Sequence, residues 1–257
     1  MDFTLITGAS SGLGYNLAKL YSNDNCNLLL VARNLDKLNK IKEELNKPNI
    51  IIDTYKCDVS NESELENLIS YINEKDYFIE RLVNNAGFGD QKKLLDMDLD
   101  FQMEMIRTNS IAPFYLMKKL SPKMCEKKRG YIINVASIAG LYPGPNMCTY
   151  HATKAFLYNI SLAIGYELKQ YNVHVLTLCP GPFNSNFTSV AHNDYTFKKI
   201  KPHSSEYVAK VAYKASKKKK SFKIVGFKNR LTYFVSRFVS TPFLVKSSSK
   251  NITKGGK

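Results

Sequence analysis

The chain has 257 residues, 44% of them hydrophobic, and a formal net charge of +15. That is enough apolar chain for one large core in a single domain, and no run approaches the roughly 18 uncharged apolar residues that a membrane-spanning helix needs. The charge is lopsided: residues 1–197 hold 20 Lys/Arg against 21 Asp/Glu, while residues 198–257 hold 17 against Glu206 alone, so a near-neutral body carries a basic tail.

No basic and apolar leader precedes Phe3, so no secretory signal is expected. Five cysteines (Cys26, Cys57, Cys125, Cys148, Cys179), odd in number and without a C-x-x-C pair, fit reduced thiols in a cytoplasmic protein. The four histidines form no ligand pattern with Cys or acid, so no metal site is expected.

Phe3 to Thr7 reads as a short buried strand, followed by the turn Gly8-Ala9-Ser10-Ser11-Gly12-Leu13-Gly14 and a helical face of Leu17, Leu20 and Tyr21. Glycines at 8, 12 and 14 permit a tight turn, a close approach to a pyrophosphate and helix N-terminal amides aimed at its charge. After a second strand, Leu28 to Ala32, Arg33 stands where an acid would bond a ribose 2′-hydroxyl. It suits a 2′-phosphate, hence NADP(H) rather than NAD(H), or else is a solvated surface residue.

A helix from about Asp36 to Asn46, a strand from Ile50 to Tyr55, a helix from Glu62 to Glu74 and a strand from Ile79 to Val83 continue the alternation. Such βαβ units imply a Rossmann-type, doubly wound parallel sheet with helices on both faces and ligands beyond the carboxyl ends of its strands. Asp58-Val59 and Asn85-Ala86-Gly87 stand at those ends, Asp58 able to accept from an adenine amino group, though ordinary turn chemistry would also account for them.

One helix is expected around Phe101 to Leu120, kinked where Asn109 meets Pro113. Ser137 follows the strand Tyr131 to Val135 and can donate to a substrate carbonyl or cap a turn. The helix Thr149 to Gln170 carries Tyr150 and Lys154, four apart and so on one face. A fixed positive charge beside a phenol favours its ionised form, which turns a group titrating near about 10 into a usable proton donor. A strand from Val173 to Cys179, Pro180-Gly181, an irregular stretch from Phe183 to Pro202 that suits a substrate loop, a helix near Ser205 to Lys217 and a strand near Phe222 to Val225 complete the core. The expected division is a catalytic domain, 1–226, and a basic amphipathic extension, 227–257.

Thr7-Gly8-x-x-x-Gly12-x-Gly14, Asp58, Asn84-Asn85-Ala86-Gly87, Asn109, Ser137, Tyr150-x-x-x-Lys154 and Pro180-Gly181, in this order and spacing, make the chain resemble the short-chain dehydrogenase/reductase family over about residues 3–226. Asn-Asn-Ala-Gly-Phe-Gly and Thr-Lys-Ala-Phe are similar to its long-chain 3-oxoacyl and ketone reductases. The resemblance implies hydride transfer between NADP(H) and a hydrophobic ketone, aldehyde or secondary alcohol, with Tyr150 as general acid/base, Ser137 holding the reacting oxygen and Lys154 lowering the Tyr pKa and binding the nicotinamide ribose. Asn109 would hold a relay water, Ser185 stands where many members have Thr near the nicotinamide amide, and His151 follows the Tyr where a small residue is usual. It also implies a homo-oligomer formed through the helices carrying Asn109 and Tyr150. The competing reading is a non-catalytic NADP(H)-binding sensor or membrane-surface scaffold.

In the tail, Leu231, Phe234, Val235, Phe238 and Val239 fall at helical spacing with Lys228, Arg230 and Arg237 beside them. An amphipathic basic helix there suits peripheral attachment to an anionic membrane; a lid over the pocket or a subunit contact suits it equally. No nucleic-acid reading module is recognisable.

Overall fold

In the computed structural model, which describes residues 1–184 and 202–253, the buried strands assemble into one parallel sheet. The strands are β1 (Asp2–Thr7), β2 (Asn27–Ala32), β3 (Ile52–Lys56), β4 (Phe78–Asn84), β5 (Gly130–Val135), β6 (Val173–Cys179) and β7 (Phe222–Ile224), in the order β3-β2-β1-β4-β5-β6-β7. The order reverses between β1 and β4, paired Leu5 to Leu82 and Ile6 to Val83, and there the crevice for a ligand opens.

Side chains alternate across each strand, so every strand feeds two cores. Ile6, Leu28, Leu30, Ile133, Leu176 and Leu178 face α1 (Gly12–Asn23), α2 (Leu35–Leu45) and, across the chain, α7 (Ser205–Lys217). Leu5, Leu29, Val31, Leu82, Ile132 and Val175 face α3 (Glu62–Glu74), α5 (Ala112–Glu126) and α6 (Cys148–Leu168). Local chemistry starts the helices: Asn34 accepts from the Lys37 amide at 2.9 Å, Asn61 from Glu64 at 3.2 Å and Ser204 from Tyr207 at 3.1 Å. The doubly wound parallel sheet expected from the alternation of elements is therefore the architecture observed.

The expected helix 101–120 is instead two helices out of phase. Asp98 caps α4 (Leu99–Ile106), which passes into a π-helical turn, Arg107–Ile111, before α5 begins with Pro113 in its first turn. Proline cannot donate to the preceding turn, and the wider winding accommodates it with Asn109 buried at the centre. The tail is also divided: α8 (Phe227–Ser236) ends four residues before α9 (Thr241–Thr253), which Pro242 helps to start. The expected substrate loop falls almost wholly on 185–201, outside the described residues.

Beneath the site, one polar chain crosses the sheet. Asn84 donates to Asn134 Oδ1 at 2.8 Å, and Asn134 donates to Ser161 Oγ on α6 at 2.8 Å. Asn134 is fully buried, so Asn134→Ala removes both bonds and leaves Asn84 with only its long bond to Pro113 O and Ser161 with only its bond to Leu157 O. It should cost about 2–4 kcal/mol in urea unfolding, whereas a loss below about 1 kcal/mol would mean that the chain contributes little.

Candidate active site

The glycine loop closes on the turn after β4. Thr7 Oγ1 donates to Val83 O at 3.3 Å and accepts the amides of Asn85 and Ala86 at 3.0 and 3.1 Å, while Asn85 Nδ2 returns to Thr7 O at 2.9 Å and Gly8 O at 3.2 Å. A side chain on Gly14 would come within 2.4 Å of Gly8 O, and Gly8 has φ +65°, so both positions require glycine. The loop therefore stays bare, as a cradle for a pyrophosphate must. Leu13 packs inward, and Ser10 and Ser11 remain half-exposed on the loop. Asn85 spends its amide on the loop, so only its backbone and the Ala86-Gly87 turn border the crevice.

A cleft at one end is lined by Ala32, Arg33, Cys57, Asp58, Val59, Ala86, Phe88, Glu104 and Thr108. Asp58 Oδ1 accepts from Ser60 N at 2.9 Å and Ser60 Oγ at 2.8 Å, which leaves Oδ2 toward the cleft. Arg33 is 69% exposed in its side chain and reaches across the cleft: its Nη1 bonds Glu104 Oε1 at 3.1 Å and lies 3.9 Å from Asp58 Oδ2. Both acids approach one nitrogen of a group with five donors, so the guanidinium keeps others for a phosphate. Glu104 had no place in the sequence reading, because its nearness to Arg33 depends on how α4 crosses the strand ends.

At the other end, Ser137, Tyr150 and Lys154 meet above β5 and β6. Ser137 caps a 3₁₀ turn, Ile138–Leu141, by accepting from Ala139 N at 3.1 Å, and its hydroxyl stands beside the Tyr150 phenol. Lys154 donates to Val135 O at 2.9 Å, and its Nζ is 5.9 Å from the Tyr150 ring centre. The expected depression of the Tyr150 pKa by Lys154 is not what the geometry gives. The ring is only half-exposed, and burial of its hydroxyl end pushes the phenol up to about 12, with Ser137 as the opposing influence.

Asn109 joins the ends. Its Oδ1 accepts from Phe88 N at 3.1 Å, and its Nδ2 donates to Phe88 O at 2.8 Å and to Thr153 Oγ1 at 3.1 Å; Thr153 in turn donates to Tyr150 O at 2.8 Å. Both amide protons are thus engaged by protein. His151 donates from Nδ1 to Tyr142 O at 2.8 Å, and its ring fills the space a side chain on Gly144 would need. This explains its departure from the small residue usual there. Pro180 O accepts from Ile138 N at 3.0 Å, and Gly181 lies under Asn229 of α8, 2.4 Å from where a Cβ would stand. Thr153, Cys179 and Asn229 border the site without having been singled out, since nothing in their spacing marks them. Ser185 lies outside the described residues.

A doubly wound sheet with a bare glycine loop at its switch point and a Ser-Tyr-Lys cluster at its far strand ends defines a dinucleotide-dependent oxidoreductase class. The model of the short chain dehydrogenase family matches residues 2–196, and the chain belongs to that family. An uncharacterized oxidoreductase of Staphylococcus epidermidis is 30% identical over 184 residues, covering 72% of this chain and 79% of that one. A very-long-chain 3-oxoacyl-CoA reductase of Coccidioides immitis is 33% identical over 180 residues, covering 68% of this chain and 51% of its own. Among solved structures, a short-chain dehydrogenase from Sphingobium yanoikuyae in complex with NADPH aligns at a TM-score of 0.83 with 22% identity over 93% of both chains. A 3-oxoacyl-[acyl-carrier protein] reductase from Brucella melitensis aligns at 0.76 with 26% identity over 87% of this chain and 89% of that one.

Lys154 is 5% exposed, and burial pulls its ammonium down to about 8 from an ordinary 10.5. Between those values the unfolded chain holds more protons, so this group's contribution to stability rises as pH climbs through that window and is least favourable below about 8. Lys154→Met should therefore raise stability at pH 7 by about 1–3 kcal/mol, less whatever the lost bond to Val135 O was contributing. The advantage over the parent should shrink toward pH 10 in matched thermal melts. An advantage independent of pH would show that the ammonium is not held at a cost.

Proposed function

We propose that the protein is an NADP(H)-dependent reductase of hydrophobic ketones or aldehydes, with Tyr150 as the proton donor. The observation that carries this reading is the gathering of Ser137, the Tyr150 phenol and buried Lys154 above the ends of β5 and β6, with the Lys154 nitrogen 5.9 Å from the Tyr150 ring centre. The bare Gly8–Gly14 loop fits a pyrophosphate and Arg33 a 2′-phosphate, so the residues present suit the dinucleotide. A bound nicotinamide dinucleotide supplies the hydride; everything else comes from this chain. The phenol, pushed up to about 12 by burial, holds its proton at neutral pH and gives it only as charge grows on a carbonyl oxygen beside it. Ser137 donates to that oxygen, and the buried Lys154 ammonium adds positive charge beside the place where negative charge develops.

The likeness to 3-oxoacyl reductases supports a substrate with a long apolar body. A sensor without turnover is the weaker reading, because Ser137, Tyr150 and Lys154 are all present and in mutual reach. Exposed Ile111, Phe114 and Phe156 on the helices carrying Asn109 and Tyr150 support a subunit interface there.

Tyr150→Phe should lower NADPH-dependent reduction across a carbonyl panel by about 100-fold or more while cofactor affinity, read by fluorescence titration, stays within about twofold. Retained turnover would remove Tyr150 from the chemistry. Arg33→Asp should weaken NADPH by about tenfold or more and leave NADH little changed, and Glu104→Gln should tighten NADPH alone by releasing the guanidinium. Equal effects on the two cofactors would return Arg33 to the role of a surface residue.

A further inference from the structure

We propose that the outward face of α8, with the start of α9, docks on an anionic lipid surface. The helix has one packed side and one bare side. Asn229, Tyr233 and Ser236 point inward: Asn229 donates to Val225 O at 2.7 Å, and Tyr233 rests on Phe222 and meets the Tyr158 hydroxyl at 3.4 Å. Directly opposite, Phe227, Leu231, Phe234, Val235 and Phe238 are 71, 53, 62, 50 and 78% exposed, within an arc of about 100°. Phe243 on α9 is 61% exposed as well. Lys228 stands on one side of this ridge and Arg230 and Arg237 on the other, all exposed. Apolar residues along the crest with cations at both flanks suit a helix lying in the headgroup layer.

Charge decides between occupants. No Asp or Glu follows Glu206, so a second copy set face to face would bring cation against cation. A nucleic acid would satisfy the cations and leave the aromatic crest in water. An anionic bilayer satisfies both, and a convex ridge enters a lipid surface without needing a groove. Among the described residues no helix is long and apolar enough to cross a membrane, so attachment is to the surface. The geometry also gives the attachment a use, and this clause rests on the reductase reading: α8 lies over Gly181 and packs through Tyr233 beside Ile138 and Leu141, which follow Ser137, so the docked face borders the catalytic end of the crevice.

The test is flotation of the full chain with phosphatidylcholine vesicles, with and without phosphatidylglycerol, at low and high salt. The parent should float with the anionic vesicles, less at high salt and little with the neutral ones. Phe234→Glu/Phe238→Glu and Lys228→Glu/Arg230→Glu should each reduce the bound fraction by about tenfold while circular dichroism and melting temperature are kept. Both side chains of the first pair are exposed, so folding should tolerate them, and turnover of a short water-soluble carbonyl should be unchanged. Absence of flotation by the parent, equal flotation with neutral lipid, or dissociation of an oligomer by Phe234→Glu/Phe238→Glu would each overturn the proposal. Because flotation needs neither cofactor nor substrate, its outcome is separable from that of the reductase assignment.

Discussion

A single buried ammonium constrains much of this fold. Lys154 has left water to sit between the ends of β4 and β5, held by Val135 O, and its neighbours are shaped by that position. Gly87 has no side chain where a Cβ would stand 3.1 Å from the Lys154 nitrogen, and Gly140 has none where one would stand 2.5 Å from the Lys154 carbonyl. The first absence keeps the turn after β4 open; the second lets the 3₁₀ turn behind Ser137 lie directly on α6. A charge held at such cost is expected where function, not stability, sets the requirement.

The remaining precision comes from amides used as joints. Asn109 grips both the N–H and the C=O of Phe88 and also reaches Thr153, so the turn after β4, the π-helical turn and α6 are fixed to one another by one side chain. Asn85 does the same for the glycine loop, and Asn134 for β4, β5 and α6. Amides suit this work because each carries donors and an acceptor without a charge to neutralise. The two ends of the crevice are thereby held in register through hydrogen bonds that hydrophobic packing alone would leave adjustable.

What could be read from the residues follows from which interactions are local. The strands, the sheet type and helices beginning near Asp36, Glu62 and Ser205 depend on periodicity and neighbouring side chains, and they were legible. So were the clustered positions of the site, since strand ends converge in any doubly wound sheet. The pairing of Arg33 with Glu104, 71 residues away, and the bond from Asn109 to Thr153, 44 residues away, were not, because each depends on how a helix crosses the sheet. Sequence spacing likewise places Lys154 on the face of Tyr150 but says nothing of the Val135 carbonyl that binds its nitrogen or of the burial that raises the phenol.

The π-helical turn at Arg107–Ile111 makes chain length part of the design. A π turn takes one residue more than an α turn to cover nearly the same rotation, so these five residues absorb an extra residue without turning α4 against α5. Glu104 and Thr108 thereby stay at the cleft and Met105 stays in the core, while the wider turn makes room for buried Asn109 between them. Closing the turn to regular α winding would leave both helices where they are and remove the width that seats Asn109 against Phe88 and Thr153.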